Sequence, residues 1–118
     1  MFGNLGSDVT FHWKFEFGND QDWNHFDEIF WGTTDNNNKI RNKYITVFKN
    51  GKTLKNRELS DSLQSRVGVA GTISKHGCNL TFELRNVTRA DERITYGCTA
   101  KIYGNWYRRG PVILVIQG

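Results

Sequence analysis

The side chains best suited to catalysis or metal binding are scattered along this chain. The three histidines lie far apart, and the sequence contains no Cys-x-x-Cys, His-Glu-x-x-His or glycine-rich phosphate motif. His25 is close enough to Asp27 to form an orienting pair, but no Ser or Cys nucleophile is near them in the sequence. Asp20 and Asp22 offer oxygen ligands without the ligand spacing of a calcium loop. The sequence therefore predicts a protein that is not an enzyme and holds no cofactor or metal ion.

The composition is typical of one folded domain. A chain of 118 residues can bury a single core, so we treat residues 1–118 as one domain. Charged residues make up 24% and apolar residues 37%, which argues against disorder, and no apolar run approaches the roughly 20 residues of a membrane helix. No N-terminal segment is typical of a signal peptide. We therefore expect Met1 to begin a fragment of a longer protein.

The net charge of +4 is best explained by solubility. A nucleic-acid site would combine clustered cations with stacking aromatics, and the nearest candidate, Trp106 to Arg109, is too short for that. We expect no nucleic-acid partner and no membrane contact by this domain itself.

The stretch from Leu80 to Cys98 carries the clearest structural signal. It begins with an alternating pattern, in which Leu80, Phe82 and Leu84 share one face of a predicted strand. A short polar turn follows, and the stretch ends on Tyr96-Gly97-Cys98. This order resembles strand E, the E–F corner and strand F of an immunoglobulin domain, in which the Tyr hydroxyl bonds back to the corner backbone. The resemblance implies an all-β fold, a two-sheet Greek-key sandwich of V-set-like immunoglobulin type.

The rest of the chain fits the same arrangement. Alternation from Val9 to Phe17 predicts strand B, with Trp13 where an immunoglobulin domain has Cys. Trp31 takes the place of the core Trp of strand C, and Trp23 is the competing choice among turn residues. The predicted core comprises Trp13, Trp31, Leu80, Phe82, Leu84 and Tyr96.

The connections are predicted from turn and strand signals. Residues 32–43 and 104–110 are polar or glycine-rich, and we expect two loops there. Asn50-Gly51 after a β-prone run predicts a C′–C″ hairpin, which favours a variable-type domain. Arg66 and Asp91 occupy positions that pair in variable domains, and we expect an ion pair between them.

The chain is also similar, over nearly its whole length, to the membrane-distal domains of the allorecognition receptors of colonial hydroids. The similarity lies in residues 44–47, 76–80, 91–93 and 96–98. It implies an extracellular domain of a cell-surface membrane protein that discriminates self from non-self by binding the same protein on an opposing cell. One extra residue separates Asp91 from Tyr96 compared with the usual immunoglobulin corner, so the corner is expected to differ.

An extracellular setting has two further implications. Asn79 and Asn86 begin Asn-x-Thr sequons and are candidate glycosylation sites. Cys78 and Cys98 share the inward parity of their strands and are predicted to form a disulfide. Face-packed sheets lie about 10 Å apart, whereas the Cα atoms of a bridged pair lie within about 7 Å, so this disulfide would require the sheets to approach.

The outer face of strands C, C′, F and G is the candidate partner-binding surface. Strand parity predicts an outward Phe30 beside outward Thr99, Lys101 and Tyr103. The outward Phe and Tyr would form an apolar patch next to charge. Acidic groups of a second copy, with Asp27 and Glu28 as candidates, would have to meet its cations. The predicted binding residues are Phe30, Lys101, Tyr103, Trp106, Tyr107, Arg108 and Arg109.

Three other functions are compatible with such a sandwich. The domain could be a heterophilic adhesion or immune-type receptor module, or a structural spacer in a longer ectodomain. A carbohydrate-binding β-sandwich is also consistent with the sequence, because exposed aromatics such as Trp106 and Tyr107 stack on sugars.

Overall fold

The computed structural model describes residues 1–118 and is an all-β protein, as predicted. Two short helices, α1 (Asp20–Asn24) and α2 (Asp61–Arg66), interrupt the strands, and neither is long and apolar enough to cross a membrane. The strands are β1 (Phe2–Asn4), β2 (Val9–Glu16), β3 (Phe26–Thr34), β4 (Ile40–Phe48), β5 (Thr53–Lys55), β6 (Val67–Ser74), β7 (Gly77–Leu84), β8 (Thr95–Ile102), β9 (Asn105–Ile113) and β10 (Val115–Gln117).

Two antiparallel sheets contain most of the strands. One has the order β2-β7-β6, and the other has the order β5-β4-β3-β8-β9. A separate pair, β1 and β10, joins the two chain ends in parallel. Buried apolar residues from both antiparallel sheets form one cluster of 22 residues. This arrangement is compatible with a β-sandwich, in which two sheets cover a common core.

Strand β2 shows how the sequence builds this core. Its residues alternate strictly between buried and exposed, because successive side chains of a strand point to opposite faces. Trp13 is buried, and its ring centroid lies 5.7 Å from that of Phe11 and 6.1 Å from that of Phe82. These two phenyl rings also contact the fully buried Trp31, so they lie between the two indoles. All six side chains expected in the core are buried.

The turn after β7 is fixed by Asp91. Its carboxylate accepts a hydrogen bond from the Thr88 amide at 2.8 Å and forms the expected ion pair with Arg66. The Tyr96 hydroxyl donates to the Asp91 carbonyl at 3.2 Å, so the Tyr does bond back to the corner backbone. Between Asp91 and Tyr96, Arg93 adopts a left-handed conformation with φ of 60°.

The two predicted loops are much shorter than the sequence indicated. Strand β3 continues to Thr34 and β4 begins at Ile40, so a five-residue turn replaces the loop over residues 32–43. The Asp35 carboxylate holds this turn by accepting from the amides of Asn37 and Lys39 at 2.8 and 3.0 Å. The same hydrogen bonds lower the pKa of Asp35.

The second correction concerns residues 104–110. Strands β8 and β9 form a tight hairpin whose turn is Tyr103-Gly104, and residues 105–110 belong to β9. Both turn residues have positive φ, at 56° and 74°, which matches the twist of the flanking strands. The polar side chains that suggested a loop are instead the exposed side chains of an edge strand. The Asn50-Gly51 turn does connect β4 to β5, as predicted.

Candidate protein-binding face

The register of three strands defines the outer face of the five-stranded sheet. Phe30 of β3 pairs with Thr99 of β8, which pairs with Arg108 of β9. Glu28, Lys101 and Trp106 form the next row of the same face. Residues paired across antiparallel strands point to the same side, so these six side chains share one surface. Trp31 lies in the core cluster and Phe30 does not, which places their side chains on opposite faces of β3.

Phe30 lies on this face but is not exposed, contrary to the prediction. Only 1% of its surface remains accessible. The Trp106 ring packs edge-on against it, with ring centroids 5.5 Å apart, and the Lys43 ammonium lies 4.1 Å above its ring. Phe30 is therefore buried beneath the other side chains of this face. The accessible aromatic group of the face is Trp106, which is about half exposed.

Three of the predicted binding residues lie away from this surface. Tyr103 is in the hairpin turn, where its ring stacks on His25 at 4.2 Å. Tyr107 pairs with Ala100 and Arg109 with Cys98, so both have the inward parity of β8. They remain exposed because β9 is the edge strand, and the Arg109 guanidinium lies 4.5 Å from the Phe15 ring at the side of the sandwich. The structure therefore brings together Phe30, Lys101, Trp106 and Arg108 only.

A cavity of about 380 Å³ opens on the outer face beside Trp106. Phe30 and Thr99, each 1% exposed, lie at its base. The remaining lining residues are Lys39, Ile40, Lys43, Trp106 and Arg108, so the lining holds three cations and no carboxylate. An apolar centre with a polar rim is typical of protein interfaces, and Trp and Arg are enriched among the residues that dominate their binding energy.

A neighbouring cavity of about 500 Å³ has a different character. It lies over β4 and β5, and both Glu28 and Glu58 line it together with Arg41 and Lys43. The Lys43 ammonium is 3.9 Å from the Glu28 carboxylate, at the outer limit of an ion pair. Charges of both signs meet in this second cavity, whereas the cavity beside Trp106 is uniformly basic.

The candidate glycosylation sites lie away from this face. Asn79 is in β7, where its side-chain oxygen contacts the His12 ring across to β2, and Asn86 follows β7 in a left-handed turn. Both are exposed, and their glycosylation stays a prediction. No cluster of three or more metal-ligating side chains occurs in the structure.

The predicted disulfide is wrong, because Cys78 and Cys98 are both free thiols in the structure. They lie in β7 and β8, which belong to different sheets. Face-packed sheets are separated by about 10 Å, which exceeds the Cα separation of about 7 Å that a disulfide tolerates. Burial raises the pKa of Cys78 to about 12, and burial, reinforced by the nearby Cys78, raises that of Cys98 well above its usual range.

The raised pKa values of Cys78 and Cys98 predict a loss of stability at alkaline pH. The folded chain keeps both thiols protonated, while the thiols of the unfolded chain ionise above pH about 8.5. The unfolded state then binds fewer protons, so the free energy of unfolding falls as pH rises from about 9 towards 12. Each thiol should contribute a fall of about 1.4 kcal/mol per pH unit in that range. Urea denaturation in the presence of a reductant, at intervals from pH 8 to 10.5, measures this slope.

The control separates the thiols from the other groups that titrate at high pH. In the Cys78→Ala/Cys98→Ala variant the thiol contribution is absent. Its free energy of unfolding should therefore fall less steeply with pH than that of the wild type, by about 3 kcal/mol per pH unit. Equal slopes for the two proteins would contradict the buried-thiol explanation.

Sequence reasoning missed Lys39 and Lys43 as parts of this face. Thr99 was assigned to the correct side of β8, but no local signal marked it as the base of a cavity. Lys43 reaches the face because β3 and β4 shift register between Trp31 and Gly32, which a regular alternation does not predict. Searches of protein-family models and of curated proteins find no match to this chain.

Proposed function

We propose that this chain is a variable-type immunoglobulin-like domain of a cell-surface receptor, which binds a second copy of itself on a neighbouring cell through the outer face of the sheet β5-β4-β3-β8-β9. The observation that carries the proposal is the accessible Trp106 ring, packed on buried Phe30 and surrounded by cations. An aromatic group on an ordered sheet loses little conformational entropy on binding, and Trp and Arg are enriched among residues that dominate interface energies.

The fold supports the variable-type assignment. From the strand order β5-β4-β3-β8-β9 we assign β3, β8 and β9 to strands C, F and G, and the β4–β5 hairpin to C′ and C″. The hydrogen bond from Tyr96 to the Asp91 carbonyl is the one expected of the E–F corner in such domains. Self-recognition between cells is drawn from the similarity to the hydroid receptors.

The charge of the domain constrains any contact between two copies. Each copy carries +4, so approach is opposed unless basic groups of one copy meet acidic groups of the other. Arg108 and Trp106 would have different roles in such a contact. The guanidinium would select a carboxylate of the other copy, and the indole would exclude water from around that ion pair. Changing either residue should therefore weaken self-binding without altering the buried core.

Aggregation of beads coated with the domain tests this proposal. Wild-type beads should aggregate, and both Arg108→Glu and Trp106→Ser should abolish aggregation. Lys75→Glu is the matched control, because it makes the same charge change in the exposed turn between β6 and β7, on the other sheet. Its beads should aggregate like those of the wild type.

Two results would contradict the proposal in different ways. If wild-type beads do not aggregate even at high coating density, self-binding is wrong, and a heterophilic receptor is the better assignment. If wild-type beads aggregate and both substitutions leave aggregation unchanged, the domain binds itself through another surface.

A further inference from the structure

The cavity beside Trp106 is uniformly cationic at its rim. Lys39, Lys43 and Arg108 line it, and no carboxylate does. Neither the Lys39 ammonium nor the Arg108 guanidinium forms an ion pair within the chain. Three like charges around one cavity repel one another, so an anion entering it would be favoured by all three.

Two acidic groups lie near these cations but outside the lining of the cavity. Glu28 is 3.9 Å from Lys43, a distance too long for a direct hydrogen bond, and it lies in the neighbouring cavity. The charge of Asp35 interacts with Lys39 and Arg108, but its carboxylate forms no ion pair with either and accepts hydrogen bonds from two backbone amides of its own turn.

The base of the cavity supplies a further polar group. Thr99 lines the cavity, and only 1% of its surface is accessible. A threonine hydroxyl can donate one hydrogen bond. That donor fits a ligand that brings an acceptor oxygen.

We propose that this cavity binds the carboxylate of a glutamate or aspartate side chain on a partner protein. The carboxylate would meet Lys39, Lys43 and Arg108 while the methylene groups of its side chain pack on Trp106 and Phe30. An ionised carboxylate is an acceptor only, which matches a lining of ammonium, guanidinium and hydroxyl donors.

An acidic sugar fits this lining less well. Its ring carries several hydroxyl groups that need acceptors as well as donors. Besides the Thr99 hydroxyl, the side chains that line the cavity offer no acceptor oxygen, since none is an acid or an amide. Sugar hydroxyls would therefore lose hydrogen bonds to water without replacing them.

The inference deepens the proposed function and rests on it where it concerns self-binding. Two copies cannot place cavity against cavity, because Lys39, Lys43 and Arg108 would then face their own copies. A contact between two copies must be displaced or head-to-tail, so that an acidic side chain from elsewhere on one copy enters the cavity of the other.

Titration of the isolated domain with a small probe tests the site directly. The probe is N-acetylglutamate N-methylamide, followed by nuclear magnetic resonance through the indole N–H of Trp106. We expect saturable shifts of that resonance, with N-acetylglutamine N-methylamide binding at least about tenfold more weakly because it lacks the charge. Arg108→Gln should weaken glutamate-probe binding about tenfold. Lys75→Gln is the matched control, because it removes the same charge from the exposed turn between β6 and β7, and it should stay within about twofold of the wild type.

Three outcomes would overturn the inference. Equal binding of the charged and neutral probes would show that the cavity does not select a carboxylate. An equal loss from Arg108→Gln and Lys75→Gln would show only a general effect of positive charge. Tighter binding of glucuronate than of the glutamate probe by tenfold or more would assign the cavity to acidic sugars.

This experiment is independent of the bead assay. Selective probe binding without bead aggregation would uphold the carboxylate site and contradict self-binding. Bead aggregation without selective probe binding would uphold self-binding and contradict the carboxylate site.

Discussion

Trp13→Ala is expected to lower the free energy of unfolding by about 3–5 kcal/mol, as other large-to-small core substitutions do. Trp13 is 8% exposed and stacks on Phe11 with an interplanar angle of 4°. It also packs against Phe82, which in turn stacks on Trp31. Removing the indole would leave a cavity beside Phe11 and Phe82. These rings cannot move far enough to fill it, because the strands that carry them are fixed in their sheet. Urea denaturation followed by circular dichroism measures the loss.

The matched control is an aromatic residue that is not part of the core. Tyr107 is 44% exposed on the edge strand β9, and its ring has no aromatic partner in the structure. Tyr107→Ala should change the free energy of unfolding by no more than about 0.5 kcal/mol. A loss below about 1 kcal/mol for Trp13→Ala would contradict the packing of Trp13 between the two sheets.

The core of this fold could be predicted because its signal is local. Along β2 the apolar residues recur at every second position, and that period alone determines which side chains are buried. Trp13 is a clear case, since its place in the core follows from parity and not from the Cys that immunoglobulin domains have there. The connections were harder to predict, because Asp35 and the Tyr103-Gly104 turn shorten them through specific hydrogen bonds and backbone conformations.

The candidate site depended on contacts between strands, which sequence alone does not contain. Parity predicted an outward Phe30, but Trp106 was expected in a loop, so nothing in the sequence indicated that its ring covers Phe30. The positions of Tyr107 and Arg109 depend on the register between β8 and β9, which is set by the hairpin turn. The pairing of β1 with β10 was also missed, because it joins short segments from opposite ends of the chain.

Arg66→Ala is expected to destabilise the protein by about 3 kcal/mol, although it removes only one side chain near the end of a short helix. Its guanidinium pairs with Asp91, and the two side chains are only 15% and 7% exposed. Without Arg66 the Asp91 carboxylate would stay buried with hydrogen bonds from Thr88 but no opposite charge. Arg66 also donates from Nε to the Arg85 carbonyl at 2.9 Å, so the substitution loses a second hydrogen bond.

A double-mutant cycle separates the ion pair from the lost packing of a long side chain. Lys14→Ala provides the exposed comparison, because Lys14 and Glu16 are 62% and 76% exposed and such pairs contribute about 0–1 kcal/mol. Removing Asp91 as well should recover part of the loss, since Arg66→Ala/Asp91→Ala leaves no buried charge unpaired. Asp91 also holds the turn before Tyr96 through its carboxylate, so the recovery should be incomplete. Fully additive losses from the two single substitutions would mean that the ion pair contributes nothing to the stability of the corner.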